Sequence, residues 1–240
     1  IVQKIFSRKN GILLDSDFSK PQAFHKNAIA RSGGLSSIIL FSIFIAMYFF
    51  FFKKFLLDYL SIGISIFCIG FLDDIKIMIK PKIRLLMMTS LLSAGIILFS
   101  VNLGNIDLIF LESMLNNKIF NVLFILLCFL FIVNGANLVD GFNGLVSIHL
   151  IIINTILFFI NFENGHTELM LVIFAQIIML ISFLMFNFPK AKMFLGDGGS
   201  YLFGVLLALN IIKTNNLNAE ISSFFFCVLL FYLFFEVFFF

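Results

Sequence analysis

The chain has 240 residues, of which 61% are hydrophobic and 12% are charged, and 37 of them are phenylalanine. A globular core of this size cannot hide so much apolar surface, so the composition excludes a soluble domain and indicates an integral membrane protein. The net charge of +3 is small and its basic residues are scattered, which argues against nucleic-acid binding. The three cysteines lie far apart within apolar stretches and are interpreted as small core residues: Cys68, Cys128 and Cys227.

The apolar stretches are long enough to cross a bilayer as helices, which takes about 20 residues. Isolated membrane strands would leave their backbone groups without partners. We therefore predict an all-α, polytopic transmembrane helical bundle with eight spans, the seventh of which is short. The predicted spans are Ser36–Phe52, Phe55–Leu72, Leu85–Val101, Ile119–Val133, Leu145–Ile160, Leu169–Phe188, Gly199–Ile212 and Ile221–Phe240.

Nothing in the sequence divides the chain, so we expect one membrane domain over residues 1–240. The chain begins at Ile1 without a methionine and ends inside the eighth apolar run, which predicts a fragment truncated at both ends.

Eight spans sort the polar segments into two sets on opposite sides of the membrane. Twelve of the 16 lysines and arginines fall in segments 1–35, 73–84, 134–144 and 189–198, whereas the other four lie on the opposite side. The positive-inside rule places the first set in the cytoplasm. Four polar motifs all lie on that side.

The first motif is a basic cluster in which Lys20, His25, Lys26 and Arg31 precede two glycines. Such a cluster can bind phosphate groups. The alternative is a simple attraction to anionic lipid at the membrane surface.

The second motif is the pair Asp73 and Asp74 at the end of a predicted span. Adjacent carboxylates repel each other unless a cation, a proton or a base offsets their charge. Bases follow directly, at Lys76, Lys80, Lys82 and Arg84. The alternative is a solvated helix end followed by basic anchoring residues.

The third motif places Asn134, Asn137 and Asp140 three residues apart, so on a helix they form one polar stripe. Gly141 and Gly144 then allow a turn. The alternative is hydrogen bonding between neighbouring spans, which asparagine does well.

The fourth motif sets Asp197 among glycines, in the segment from Gly196 to Ser200 before a predicted span. Backbone amides at a helix N-terminus can face an anion there while Asp197 holds a bridging metal. The alternative is a plain N-cap by Asp197. Because the four motifs offer oxygen ligands and no cysteine and histidine set, Mg²⁺ with a phosphorylated substrate fits them better than zinc.

These motifs, in this order, resemble those of the polyprenyl-phosphate N-acetylhexosamine-1-phosphate transferases, the group that contains the MraY, WecA and TagO enzymes. The resemblance covers nearly the whole chain. The matching segments are His25-Lys26-x4-Arg31-x-Gly33-Gly34, Asp73-Asp74 with its basic residues, Asn134-x-x-Asn137-x-x-Asp140-Gly-x-Asn143-Gly-Leu145 and Phe194-Leu195-Gly196-Asp197-x-Gly199-Ser200. The form of the first segment is more similar to the WecA and TagO branch.

The resemblance implies transfer of an N-acetylhexosamine-1-phosphate from a UDP-sugar to polyprenyl phosphate, with release of UMP, as the initiating step of cell-envelope polysaccharide synthesis. It implies Mg²⁺, with Mn²⁺ as an alternative, and a site on the cytoplasmic face of the bacterial inner membrane. A homodimer is compatible with it. About ten or eleven spans are then expected in the full protein, and this chain would lack the first span and a histidine-containing loop near the C-terminus.

Carried over position by position, the resemblance implies a role for each matching residue. The implied catalytic residues are Asp73, Asp74 and Asp140. The implied substrate-binding residues are Lys26, Arg31, Asn134, Asn137, Asn143 and Lys76. The implied metal ligands are Asp197 and Asn137. Many members of the family carry aspartate where this chain has Asn143, which keeps hydrogen bonding but removes a charge.

An ion-coupled secondary transporter is the competing function, because membrane acids and asparagine stripes also bind Na⁺ or H⁺. A transporter site is expected near the middle of the spans. Here the acids cluster at span ends on one side, which favours chemistry at the membrane surface.

Overall fold

The computed structural model describes residues 13–15, 29–77, 79–104, 106 and 109–239. The predicted basic residues His25 and Lys26 lie outside these ranges.

The described residues form ten helices and a short antiparallel ribbon in which Leu14 is paired with Ala30. The strands are β1 (Leu14–Asp15) and β2 (Ile29–Ala30). The helices are α1 (Gly33–Phe52), α2 (Leu57–Asp74), α3 (Pro81–Leu98), α4 (Ile109–Leu115), α5 (Lys118–Val139), α6 (Leu145–Glu163), α7 (Thr167–Asn187), α8 (Gly196–Leu217), α9 (Ser223–Leu229) and α10 (Phe231–Phe239).

Each of the first seven predicted spans corresponds to one long helix, of 18 to 22 residues. Five of these helices are long and apolar enough to cross a membrane, namely α1, α3, α5, α6 and α7. The prediction of an all-α, polytopic membrane protein is therefore confirmed. Helices α2 and α8 are equally long, but α2 carries three carboxylates, Asp58, Asp73 and Asp74, and α8 is the least hydrophobic of the seven.

The eighth predicted span, Ile221–Phe240, is not one continuous helix. The described part of this segment forms α9 and α10, of 7 and 9 residues, with a break at Leu230. Neither piece alone can cross a hydrocarbon core of about 30 Å. Helix α10 packs directly against α5. The contact is so close that a Cβ atom on Gly135 of α5 would lie 2.5 Å from the carbonyl oxygen of Leu233 in α10. A count of eight spans is thus not supported.

Helix α8 is the centre of the bundle, since 18 of its 22 residues are buried. It packs against α1, α2, α5, α6 and α7. Its polar residues therefore face protein rather than lipid. The amide of Asn210 donates to Asn154 Oδ1 (3.0 Å) and to Gln176 Oε1 (2.7 Å), and the Tyr59 hydroxyl donates to Asn210 Oδ1 (2.9 Å). These hydrogen bonds offset the cost of burying the four side chains.

The seventh predicted span, Gly199–Ile212, is shorter than helix α8. The helix begins three residues earlier, at Gly196, and ends five residues later, at Leu217. Lys213 does not end the helix because it forms an ion pair with Asp58 of α2. Thr214 also stays inside, as it accepts a hydrogen bond from Asn161 at 2.8 Å. Contacts with other helices thus keep these polar residues within α8.

Helices α1 and α2 approach the first turn of α8 backbone to backbone. A Cβ atom on Gly34 would lie 2.4 Å from the amide nitrogen of Gly199, and one on Gly70 would lie 2.5 Å from the carbonyl group of Asp197. Only glycine leaves room for this packing. The two contacts fix the start of α8 against the ends of two neighbouring helices.

We predict that Gly70→Ala destabilises the protein by about 1–3 kcal/mol, because the added methyl group forces α2 away from the backbone of α8. Gly63→Ala in the same helix is the matched control, since its Cβ would meet two leucine side chains at ordinary contact distances, Leu202 Cδ1 at 3.4 Å and Leu206 Cδ2 at 3.7 Å. Thermal unfolding of both variants in detergent tests this. Equal melting temperatures for the two variants would contradict the proposed close contact.

Candidate active site

The carboxylate of Asp74 caps the N-terminus of α8. Asp74 is the last residue of α2 and is 3% exposed. Its Oδ1 accepts a hydrogen bond from the backbone N–H of Asp197, and its Oδ2 accepts one from Gly198, both at 2.9 Å. The first N–H groups of a helix lack partners within the helix and attract anions. A side chain from one helix therefore satisfies the start of another.

The residue before Asp197 and Gly198, Gly196, must be a glycine. Gly196 has φ of +79°, and a Cβ atom there would lie 2.6 Å from both carboxylate oxygens of Asp74. The alternative interpretation of Asp197 as an N-cap is wrong, because Leu195 occupies that position and Asp197 lies in the first helical turn. The side chain of Asp197 is thus available for other contacts.

Two arginines flank the carboxylate of Asp197. Arg84 Nη1 lies 3.4 Å from Asp197 Oδ2 and is hydrogen-bonded to Asp73. Arg31 Nη1 lies 4.0 Å from Asp197 Oδ1 and 3.8 Å from Asp74 Oδ1. The side chains of Arg31, Arg84 and Asp197 are each about a quarter exposed, so solutes can reach the cluster.

Asp140, which follows the end of α5, belongs to the same electrostatic cluster. Burial raises the pKa of its carboxyl group well above the ordinary value, the carboxylates of Asp197 and Asp74 raise it further, and Arg31 opposes these effects. Four carboxyl groups thus face two guanidinium groups. Such a cluster has an excess of negative charge when all its groups are ionised, and an added cation would offset that excess.

Asn137 is connected to the same site through the backbone of Asp197. Its amide nitrogen donates to Ser200 Oγ at 2.8 Å, and this hydroxyl donates to the carbonyl oxygen of Asp197 at 3.1 Å. Among the described residues, none donates a hydrogen bond to the amide oxygen of Asn137.

Two other predicted residues make hydrogen bonds outside this cluster, and a third is exposed. The amide of Asn134 donates to the Leu130 carbonyl of its own helix at 2.7 Å. Asn143 donates to the Pro189 carbonyl at 3.2 Å. The side chain of Lys76 is exposed and makes no ion pair within the described ranges. Lys26 lies outside the described residues.

The sequence did not single out Arg84, Ser200 or Tyr201 as site residues. Arg84 was noted only as one of several bases after the aspartate pair. One sequence feature could have indicated Arg84. The connection between α2 and α3 is short, so the first turn of α3, which carries Arg84, must lie near the end of α2, where Asp73 and Asp74 are. Tyr201 is fully buried, and the guanidinium carbon of Arg84 lies 5.9 Å from its ring centroid.

An apolar groove leads away from Arg84 along helices α3, α5 and α10. Its volume is about 400 Å³. Arg84 and Asn134 form its polar part, and the remaining lining is apolar. The apolar lining includes Leu85, Met88, Leu127, Phe131 and Val237.

Within the described ranges, no three histidine, cysteine, aspartate or glutamate side chains are grouped as a ready metal site. The donors present are carboxylate and amide oxygens, which suit Mg²⁺. This ion is commonly bound by one or two carboxylates together with substrate phosphates. Asp197, with the amide oxygen of Asn137, which accepts no hydrogen bond from the described residues, fits that mode of binding.

Fold and site together define a polytopic helical membrane protein with a cluster of charged side chains at one end of its bundle. Residues 56–215 match the family model described as Glycosyl transferase family 4. The chain belongs to this family, which confirms the resemblance found in the sequence.

Curated relatives include three phospho-N-acetylmuramoyl-pentapeptide-transferases. The protein of Clostridium perfringens (strain 13 / Type A) is 32% identical over 149 residues, covering 59% of this chain and 47% of the relative. That of Streptococcus pneumoniae (strain Taiwan19F-14) is 35% identical over 147 residues, covering 58% and 44%. That of Clostridium botulinum (strain Eklund 17B / Type B) is 33% identical over 150 residues, covering 58% and 46%. The chain spans about half the length of the curated relatives it matches. These similarities do not distinguish the WecA and TagO branch.

We predict that Asp74→Asn lowers the free energy of unfolding by about 1–3 kcal/mol, because an amide offers one acceptor oxygen where two backbone N–H groups need partners. Asp73→Asn is the control, since Asp73 is more exposed and pairs with Arg84. Its effect is expected to be smaller. Unfolding of the full-length variants in detergent measures the difference, and a larger loss for Asp73→Asn would refute the capping role of Asp74.

Proposed function

We propose that the protein transfers a sugar-1-phosphate from a UDP-sugar to polyprenyl phosphate and releases UMP. The observation that carries the proposal is the position of Asp197 between Arg31 and Arg84, the second of which also lines the polar end of an apolar groove. A charged diphosphate and a long apolar lipid need such neighbouring environments.

In this reaction an oxygen of the lipid phosphate attacks the β-phosphorus of the UDP-sugar. A new phosphorus–oxygen bond forms, the bond to the UMP oxygen breaks, and UMP leaves. The main demand on the protein is to position two phosphorylated substrates and to neutralise their crowded negative charge. Guanidinium groups suit this task, because each can donate two parallel hydrogen bonds to phosphate oxygens.

Each acidic residue then has a separate task. Asp74 positions the start of α8, where both of its oxygens accept backbone hydrogen bonds. Asp73 is the candidate to orient or deprotonate the lipid phosphate, because it is more exposed and lies beside Arg84. Asp140, with Asn143 nearby in sequence, is assigned to the nucleotide sugar. Asp197 would hold Mg²⁺ with the oxygen of Asn137.

When bound, Mg²⁺ would neutralise part of the negative charge on the diphosphate of the UDP-sugar. Arg31 and Arg84 would bind phosphate oxygens from either side of Asp197. Lys26 and Lys76 are further candidates for phosphate contacts.

The groove beside Arg84 is the proposed place for the lipid acceptor. Its apolar lining would hold isoprenoid units, while Arg84 and Asn134 would face the lipid phosphate. We assign the site to the cytoplasmic face because most lysines and arginines flank this end of the helices. The location would then be the bacterial inner membrane.

The competing transporter function finds less support. One polar network in the middle of the bundle is formed by Tyr59, Asn154, Gln176 and Asn210, which hydrogen-bond to one another. It contains no carboxylate, whereas coupling to protons or Na⁺ commonly uses one.

We predict that the full-length protein, given Mg²⁺, undecaprenyl phosphate and a panel of labelled UDP-N-acetylhexosamines, forms a lipid-linked sugar and releases UMP. Thin-layer separation of the labelled lipid measures transfer and identifies the sugar. An absence of transfer from every UDP-sugar in the panel would count against the proposal.

The same assay tests the role of Arg84, one of the two arginines beside Asp197. Arg84→Gln is expected to lower kcat by about 100-fold or more, because it removes a charge at the reacting phosphates. Lys80→Gln is the control, since Lys80 is an exposed base just before α3. Similar rates for both variants would remove Arg84 from the proposed site.

A further inference from the structure

A second cavity lies on a different side of the bundle, between α1 and α7. Its volume is about 370 Å³. It shares no lining residue with the groove beside Arg84. Its apolar lining includes Leu40, Met179, Phe183 and Phe186.

The cavity opens toward the surface that α1 and α7 present to the membrane. Leu40 is 48% exposed and Phe186 is 53% exposed. Both helices are long and apolar enough to be membrane spans. An occupant would therefore enter from the lipid, and its greater part must be apolar.

One buried polar group in the cavity has no hydrogen-bond partner among the described residues. Ser32 is 1% exposed, and its hydroxyl makes no hydrogen bond within the described part of the chain. It stands at the N-cap position of α1 but does not cap the helix. The N–H groups of Gly33 and Gly34 donate instead to the carbonyls of Phe194 and Leu195. A buried hydroxyl without a partner is costly, so the site favours a ligand with a hydrogen-bond acceptor.

A cation lies at the same cavity. Lys192 is exposed and lines the cavity together with Ser32, and its ammonium group forms no ion pair among the described residues. An ammonium group and a free hydroxyl donor together complement an anionic oxygen. The rest of the lining complements a hydrocarbon chain.

We propose that this cavity binds an anionic membrane phospholipid. Its phosphate contacts Ser32 and Lys192, and one acyl chain lies along Leu40, Met179 and Phe186. This site goes beyond the proposed transfer reaction and is separate from the acceptor groove.

Binding there would act on the start of α8. Lys192 belongs to the segment that leads into this helix, and the carbonyl of Phe194 in the same segment accepts the N–H of Gly33 at 3.0 Å. Asp197 lies three residues after Phe194 in the sequence. An occupied cavity would therefore hold the segment that positions Asp197.

The test is competitive retention of lipid by the purified full-length protein. The protein is incubated in detergent with equal amounts of phosphatidylglycerol and phosphatidylcholine, and retained lipid is counted by native mass spectrometry. We expect wild type to retain phosphatidylglycerol and the double variant S32A/K192Q to retain about fivefold less. Lys190→Gln, an exposed lysine of the same loop that does not line the cavity, is expected to match wild type.

A blocking variant separates cavity binding from attraction at the surface. Ser182 lines the cavity and is exposed, so Ser182→Trp can close the mouth without disturbing the core. We expect it to lose the retained lipid with an unchanged melting temperature. Equal retention by wild type, S32A/K192Q and Ser182→Trp would overturn the proposal, as would equal retention of phosphatidylcholine.

Two further arms identify the source of the anion. Added inorganic phosphate is expected to leave the retained phosphatidylglycerol in place, and displacement by it would indicate a phosphate site instead. Added undecaprenyl phosphate is also expected to leave it in place, and one-for-one displacement would make the cavity part of the acceptor site. None of these readouts requires transfer activity, so their failure is distinct from failure of the proposed function.

Discussion

The hydrogen bonds from the first N–H groups of α8 to the carboxylate of Asp74 determine where the rest of the site lies. They join the end of α2 to the start of the central helix, and Gly70 and Gly196 leave the space that this contact needs. Charge-assisted bonds in a buried position are strong and directional. Asp197 is thereby held where Arg31 and Arg84 can reach it from two sides.

The same bundle keeps two kinds of polar residue apart. In the middle of α8, uncharged side chains such as Asn210 satisfy one another between helices. At the ends, charged residues form the candidate site on one side and the ion pairs Lys54–Glu168 and Lys213–Asp58 on the other. Charges in lipid are costly unless they are paired or reach water, so this division follows from the membrane environment. Chemistry on a soluble donor and a lipid acceptor is then confined to one end.

Seven of the helices could be predicted because membrane spans need long apolar runs, and the motifs identified all four carboxylates of the acidic cluster. Hydropathy was less informative for α8, whose polar residues face protein. It also did not reveal the break at Leu230, because the apolar run continues without interruption through this residue. The capping role of Asp74 and the position of Arg84 depend on contacts between helices. A single sequence does not encode these contacts in any local pattern.

Hydrogen–deuterium exchange at the first turn of α8 tests this account most directly. In the full-length protein, the backbone amides of Asp197 and Gly198 are expected to exchange slowly. Asp74→Asn is expected to speed their exchange by about tenfold or more. Asp73→Asn is expected to leave it nearly unchanged. Unaltered exchange at these two amides in Asp74→Asn would show that the carboxylate does not hold the helix.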